Sequence, residues 1–167
     1  SFLFNNSILK LHYLIEQKMF GYNIIGVELQ PSVCGWEGKL NLIEGESFEL
    51  DFLDKKDPSL AKTDLNIYDV DICRNCFLAE TNVLINTPWD ENLKLAEHED
   101  EFYRLKLANV KVGWTSSILL TKQTDRPTEY AKYRKEHFDN GMRYLLQKYH
   151  IKHWIKYVNL ERAKEKN

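Results

Sequence analysis

A chain of 167 residues, 43% apolar and 13% aromatic, is long enough to bury a core of its own as one domain, residues 1–167. Its charges nearly balance, net −2 with 29% charged residues, which argues against nucleic acid or another polyanion as partner. No apolar run approaches the roughly 20 residues of a membrane-spanning helix, and the opening SFLFNNSILKLHYLIEQK lacks a signal peptide's basic start and small-residue cleavage site. The chain reads as soluble and globular.

In chain order, residues 7–19 place Ile8, Leu11, Ile15 and Met19 at helical spacing, with Ser7 as cap and Gly21 as terminator. NIIGVELQ then reads as a strand. GWEGKLNLI and SFELDFL flank the turn-like Glu44-Gly45-Glu46, the pattern of a hairpin. The polar stretch 54–69 reads as a loop, and VDICRNCFLA, 70–79, as a strand buried on both faces. TNVLIN predicts a short helix. A second helix is expected over 97–108, with Phe102, Leu105 and Ala108 or Asn109 inward. VKVGWTSSILL is the last clear strand, and the tail from about 127 to 167 suggests two helices, broken near Asn140-Gly141 and again near His150. Strands and helices mix throughout, so the expected fold class is α/β, a mixed sheet flanked by helices.

Cys34, Cys73 and Cys76 are an odd count, which argues against a disulfide framework and leans towards a reducing compartment. CRNC has the spacing of half a zinc site, but no second pair of ligands lies at suitable spacing. On a strand the two thiols would face opposite sides, and both read as structural.

Glu97, His98, Glu99, Asp100 and Glu101 occupy consecutive positions at a predicted helix start. Carboxylates there meet unpaired backbone N–H groups, each favourable by roughly 0.3–1 kcal/mol. That accounts for some of them, but adjacent like charges repel. A position facing a cation or a hydroxyl nucleophile is the second reading.

The run DICRNCFLAETNVLINTPWDENLKLAEHEDEFYRLKLANVKVGW resembles the second half of the catalytic domain of GT-A type, Leloir-class glycosyltransferases, in the group of the β-1,4-N-acetylgalactosaminyltransferases and related bacterial sugar transferases. Asn75, Phe77, Leu78, Ala79, Trp89, Asp90 and Glu97 to Asp100 carry the likeness; Cys76 and Glu101 stand where the family often has Phe. RPTEYAKYRKEHF and GWEGKL resemble flanking family segments.

The resemblance implies transfer of a hexosyl or N-acetylhexosaminyl group from a nucleotide-diphosphate sugar to a glycan acceptor, with inversion. A carboxylate of the acidic motif would take the acceptor's proton: Asp100 first, Glu99 second, since adjacent helical residues point about 100° apart. His98 would orient the base or touch the acceptor, and Asp90 and Glu97 would also bind the acceptor sugar. Trp89 and Trp36 are candidates for stacking on a sugar face. The alternative is a non-catalytic carbohydrate-binding or scaffold relative.

Two departures qualify this. The family's Asp-x-Asp motif, which holds Mn²⁺ or Mg²⁺, should end where this chain begins, so the metal ligands and the nucleotide-binding half are expected to lie outside it. Where relatives often carry a metal-binding His, this sequence has Thr121 and Lys122; Lys122 could instead neutralise the leaving diphosphate. The aromatic, basic tail, with Tyr130, Tyr133, Phe138, Tyr144, Tyr149, Trp154 and Tyr157, suits packing on the sheet, or docking on a membrane surface or partner polypeptide. The resemblance places such proteins in the Golgi lumen of a eukaryote or on the cytoplasmic membrane face of a bacterium.

Overall fold

The computed structural model describes residues 2–30, 37–53, 61–121 and 128–157. They form a mixed α/β structure with two mixed sheets flanked by helices. The larger sheet contains β1 (Ile24–Gln30), β4 (Ala61–Lys62), β5 (Ile67–Val70), β6 (Phe77–Ala79) and β7 (Val112–Thr121), in the order β4-β5-β7-β1-β6. Its central pair, β1 and β7, runs parallel from Ile24 opposite Val112 to Gln30 opposite Thr121. The register shifts after Val27. At that shift the buried Thr115 hydroxyl donates to the Leu65 carbonyl at 2.5 Å and accepts the Ser117 N–H, so the irregular segment leaves this polar group paired.

The smaller sheet contains β2 (Gly38–Ile43), β3 (Ser47–Phe52) and β8 (His153–Tyr157), in the order β2-β3-β8. β2 and β3 are the expected hairpin, turning at Gly45 with its φ of +71°, a backbone conformation that costs glycine least. β8 adds parallel to β3. A bridge between Gly38 and Ile72 joins the sheets.

Four helices flank them: α1 (Phe2–Glu16), α2 (Thr81–Asn86), α3 (Glu97–Leu107) and α4 (Thr128–Lys148). One apolar cluster, with Phe48, Phe102, Trp114 and Leu145, lies between α3, α4 and the sheets. A second, with Leu14, Ile25, Ile67 and Ile118, lies beneath α1.

Several expectations change. The first helix begins before Ser7; of the four spaced residues Met19 is buried and Leu11 packs against the second cluster, while Ile8 and Ile15 are exposed and Leu14 and Ser7 are buried. The Ser7 hydroxyl donates to the Leu119 carbonyl of β7 at 2.8 Å, a polar tie between α1 and the sheet. The stretch 54–69 includes β4 and the start of β5; its residues 54–60 lie outside those described. VDICRNCFLA is not one strand, because β5 ends at Val70, Ile72 makes an isolated bridge to Gly38, and Phe77–Ala79 pairs again as β6, with half-buried side chains. The thiols do separate: Cys73 packs in the first cluster and Cys76 against the second. Cys34 lies outside the described residues.

The tail corrects most. Asn140-Gly141 does not break α4, and HWIKY is strand β8, not helix. Gly141 serves close packing: a Cβ there would sit 2.0 Å from the Leu95 carbonyl oxygen. That approach seats α4 directly against the entry to α3.

Candidate functional site

The acidic motif occupies the first turns of α3, entered through Ala96 in a left-handed conformation, φ 67°. The turn is enclosed rather than solvated. Asp100 is 0% exposed, Glu101 1%, Glu99 2% and His98 9%, while Glu97 is half-buried. Of the expected inward face, Phe102 and Leu105 are buried, and Ala108 and Asn109 are exposed.

Burying carboxylates without partners is costly, so their partners define the site. Asp100 Oδ2 accepts from Arg104 Nε at 2.8 Å, and Oδ1 accepts from Lys148 Nζ at 2.7 Å and the Tyr149 hydroxyl at 2.8 Å. Glu101 pairs with Arg104 Nη2 at 2.5 Å. Two cations and a phenol thus converge on adjacent acids. The acids at this helix start therefore face cations of the same chain, beyond what dipole compensation describes.

Lys148 also reaches Asp90, 2.7 Å from Nζ to Oδ2. Burial opposes the lysine's charge, but the hydrogen bonds to Asp100 and Asp90 outweigh it and hold the ammonium above the usual lysine range. Asp90 is pulled the other way, to about 2, by the hydrogen bond from Lys148 and the turn it closes on Asn92. Burial, and then the hydrogen bond to Asp100, push the Tyr149 phenol up. Burial also raises Glu101, against the opposing charge of Arg104.

Beside these charges lies an aromatic stack. The Trp89 and His98 rings are 15° from parallel with centroids 6.4 Å apart, and His98 meets Phe102 edge-on at 4.8 Å. Burial lowers His98 to about 4, against a hydrogen bond with the Cys73 backbone. At neutral pH the imidazole is therefore uncharged. Trp89 remains 40% exposed, one of its faces directed to His98.

The structure thus brings Trp89, Asp90, His98, Glu99 and Asp100 into one region, with Glu97 at its edge. Trp36 and Lys122 lie outside the described residues. Arg104, Lys148 and Tyr149 were not anticipated. Arg104 stands four residues after Asp100, a spacing that itself signals a helical ion pair, whereas Lys148 and Tyr149 are remote in sequence and carry no such signal.

Among the described residues no three His, Cys, Asp or Glu side chains are grouped to hold a metal ion, and no described helix is long and apolar enough to cross a membrane. Comparisons with protein-family models, curated proteins and solved structures find no match.

Proposed function

We propose that this chain is the acceptor-side part of a sugar transferase, moving a hexosyl or N-acetylhexosaminyl group from a nucleotide-diphosphate sugar to a glycan. The supporting observation is the pairing of buried carboxylates at the start of α3 with a half-open tryptophan ring beside them. A pyranose presents an apolar C–H face that suits an indole. A neighbouring carboxylate is the group needed to accept a hydroxyl proton as the sugar's anomeric carbon is attacked.

In this reading Trp89 receives the sugar, His98 backs the indole as a neutral ring, and the base is one of Glu99 and Asp100. Asp100 has about three of its four lone-pair positions occupied. The metal of such a reaction finds no ligand group among the described residues, and no step here is assigned to it. The Tyr130 and Tyr133 rings, 42% and 41% exposed on α4, are aromatic surface among the described residues that would suit a membrane surface or partner.

The closed Asp100, with most of its acceptor positions already taken, favours a second reading, in which the acidic turn is structural and the protein binds carbohydrate without transferring it. A thermal-shift panel of uridine-diphosphate sugars and oligosaccharides, with and without Mn²⁺, tests both. Ligand at about a hundredfold excess over Kd stabilises by about 2.7 kcal/mol, roughly 5–10 °C for a chain of this size. A rise selective for one nucleotide sugar supports transfer; a rise with glycans alone fits both an acceptor-side part and the second reading, and a transfer assay on this chain joined to a nucleotide-binding half then decides between them. No rise with either class overturns both. Where transfer is seen, its loss in Glu99→Gln or Asp100→Asn protein that still melts cooperatively identifies the base.

A further inference from the structure

Lys148, in the last turn of α4, bridges two carboxylates on different elements. Asp100 belongs to α3 and Asp90 to the loop that carries Trp89, and each lies 2.7 Å from the ammonium. The two ends of this bridge are not equivalent. Asp100 is also held by Arg104 and Tyr149. Asp90 commits Oδ1 to its own loop, accepting the Asn92 N–H and side-chain amide, and offers Oδ2 to Lys148, with a longer contact from the Tyr144 hydroxyl at 3.4 Å.

Apolar packing holds α2 through the half-buried Val83, which meets the first cluster, whereas the Trp89 loop beyond it belongs to neither cluster. From Thr81 through Asn92, which includes all of α2, no residue is buried. A segment with so little burial takes its position from its polar ties. Trp89 nevertheless lies nearly parallel to His98.

We infer that Lys148 is a positioning residue: through Asp90 it holds the Trp89 loop against α3, and so keeps an indole face presented as a platform beside the acidic turn. The ligand this platform suits is a pyranose ring, and that half of the inference rests on the function proposed above. The positional half does not. The competing account is that Lys148 only neutralises Asp100, in which case the loop would hold its place without it.

Collisional quenching of Trp89 fluorescence by acrylamide in the full chain distinguishes the accounts, taking the Trp89 signal as the difference from Trp89→Phe in each background. Asp90→Asn cuts the loop end of the bridge and leaves Lys148 on Asp100, so it isolates positioning from neutralisation. The expected result is a rise of about two-fold in the quenching constant, the step from a 40% exposed ring to a free one. Lys148→Met should give the same rise, Lys148→Arg should restore the original value, and Asp90→Asn combined with Lys148→Met should add nothing to either. Unchanged quenching in a folded Asp90→Asn protein overturns the inference, as do additive effects in the double variant. Glycan affinity measured on the same proteins should fall in step with the quenching change. If quenching moves but the parent protein binds no glycan, positioning stands and the carbohydrate reading fails.

Discussion

Acidifying the solution should destabilise this protein through His98 by an amount the structure sets. The imidazole is buried between Trp89 and Phe102 and lowered to about 4, against 6.5 for the ordinary side chain. Below pH 6.5 the unfolded chain takes up a proton at His98 that the folded chain refuses until near pH 4, so stability falls with pH across that window. The full difference, 2.5 pH units at 1.36 kcal/mol each, is about 3 kcal/mol, and about 2 kcal/mol of it is lost between pH 7.5 and pH 5. Other groups also titrate in this range. Glu101, raised by burial, works in the opposite direction. The measurement is therefore a difference: urea unfolding at both pH values for the parent and for His98→Gln, whose side chain cannot ionise. His98→Gln will be less stable at neutral pH because ring contacts are lost, but its loss on acidification should be smaller by about 2 kcal/mol. If both proteins lose stability equally, His98 is not held neutral by burial and the reasoning is wrong.

Asp100→Asn leaves Arg104 and Lys148 facing a neutral amide and should cost about 3–5 kcal/mol in urea unfolding; a cost below about 1 kcal/mol would mean the cage is not a stabilising unit. Gly141→Ala gains helix propensity of about 1 kcal/mol, yet its Cβ would meet the Leu95 carbonyl at 2.0 Å. It should be net destabilising by about 1–3 kcal/mol, and a raised Tm would refute that packing. Asp90 is held at about 2 against its ordinary 3.8. Its stabilisation is complete above pH 3.8 and is lost as pH falls towards 2, about 1–2 kcal/mol after solvent screening. Asp90→Asn should remove that share of the acid sensitivity seen in unfolding between those pH values.

Elements whose reason is local were readable from the sequence. β1, the β2–β3 hairpin, α2, α3 and β7 show their apolar patterns and turn residues within a few positions of each strand or helix. The misreadings share a different origin. Gly141 looks like a helix breaker until the Leu95 carbonyl against it is known. HWIKY is too short to declare a period of two, and it becomes a strand by pairing with β3. Ile8 and Ile15 share the helical spacing of Leu11 and Met19, and one sequence does not show that only the latter two meet the second cluster. The site divides the same way. The acidic run was conspicuous, and Trp89, Asp90 and His98 do lie beside it, but the cations that make its burial tolerable include Lys148, 48 residues away from Asp100. Charge neutralisation in a fold is a property of three dimensions.

The parallel pairing of β8 with β3 also bears on how the chain assembles. His153 sits opposite Ser47, so the small sheet cannot be completed until more than a hundred intervening residues have been made. Contacts this distant close slowly, because the loop must be restrained before the pairing stabilises it. During synthesis the β2–β3 hairpin would emerge early and wait with one edge open, Phe48 still without the Trp154 ring that later stacks on it at 4.7 Å. That open edge is the point at which a nascent chain of this protein is most exposed to mispairing with a neighbour.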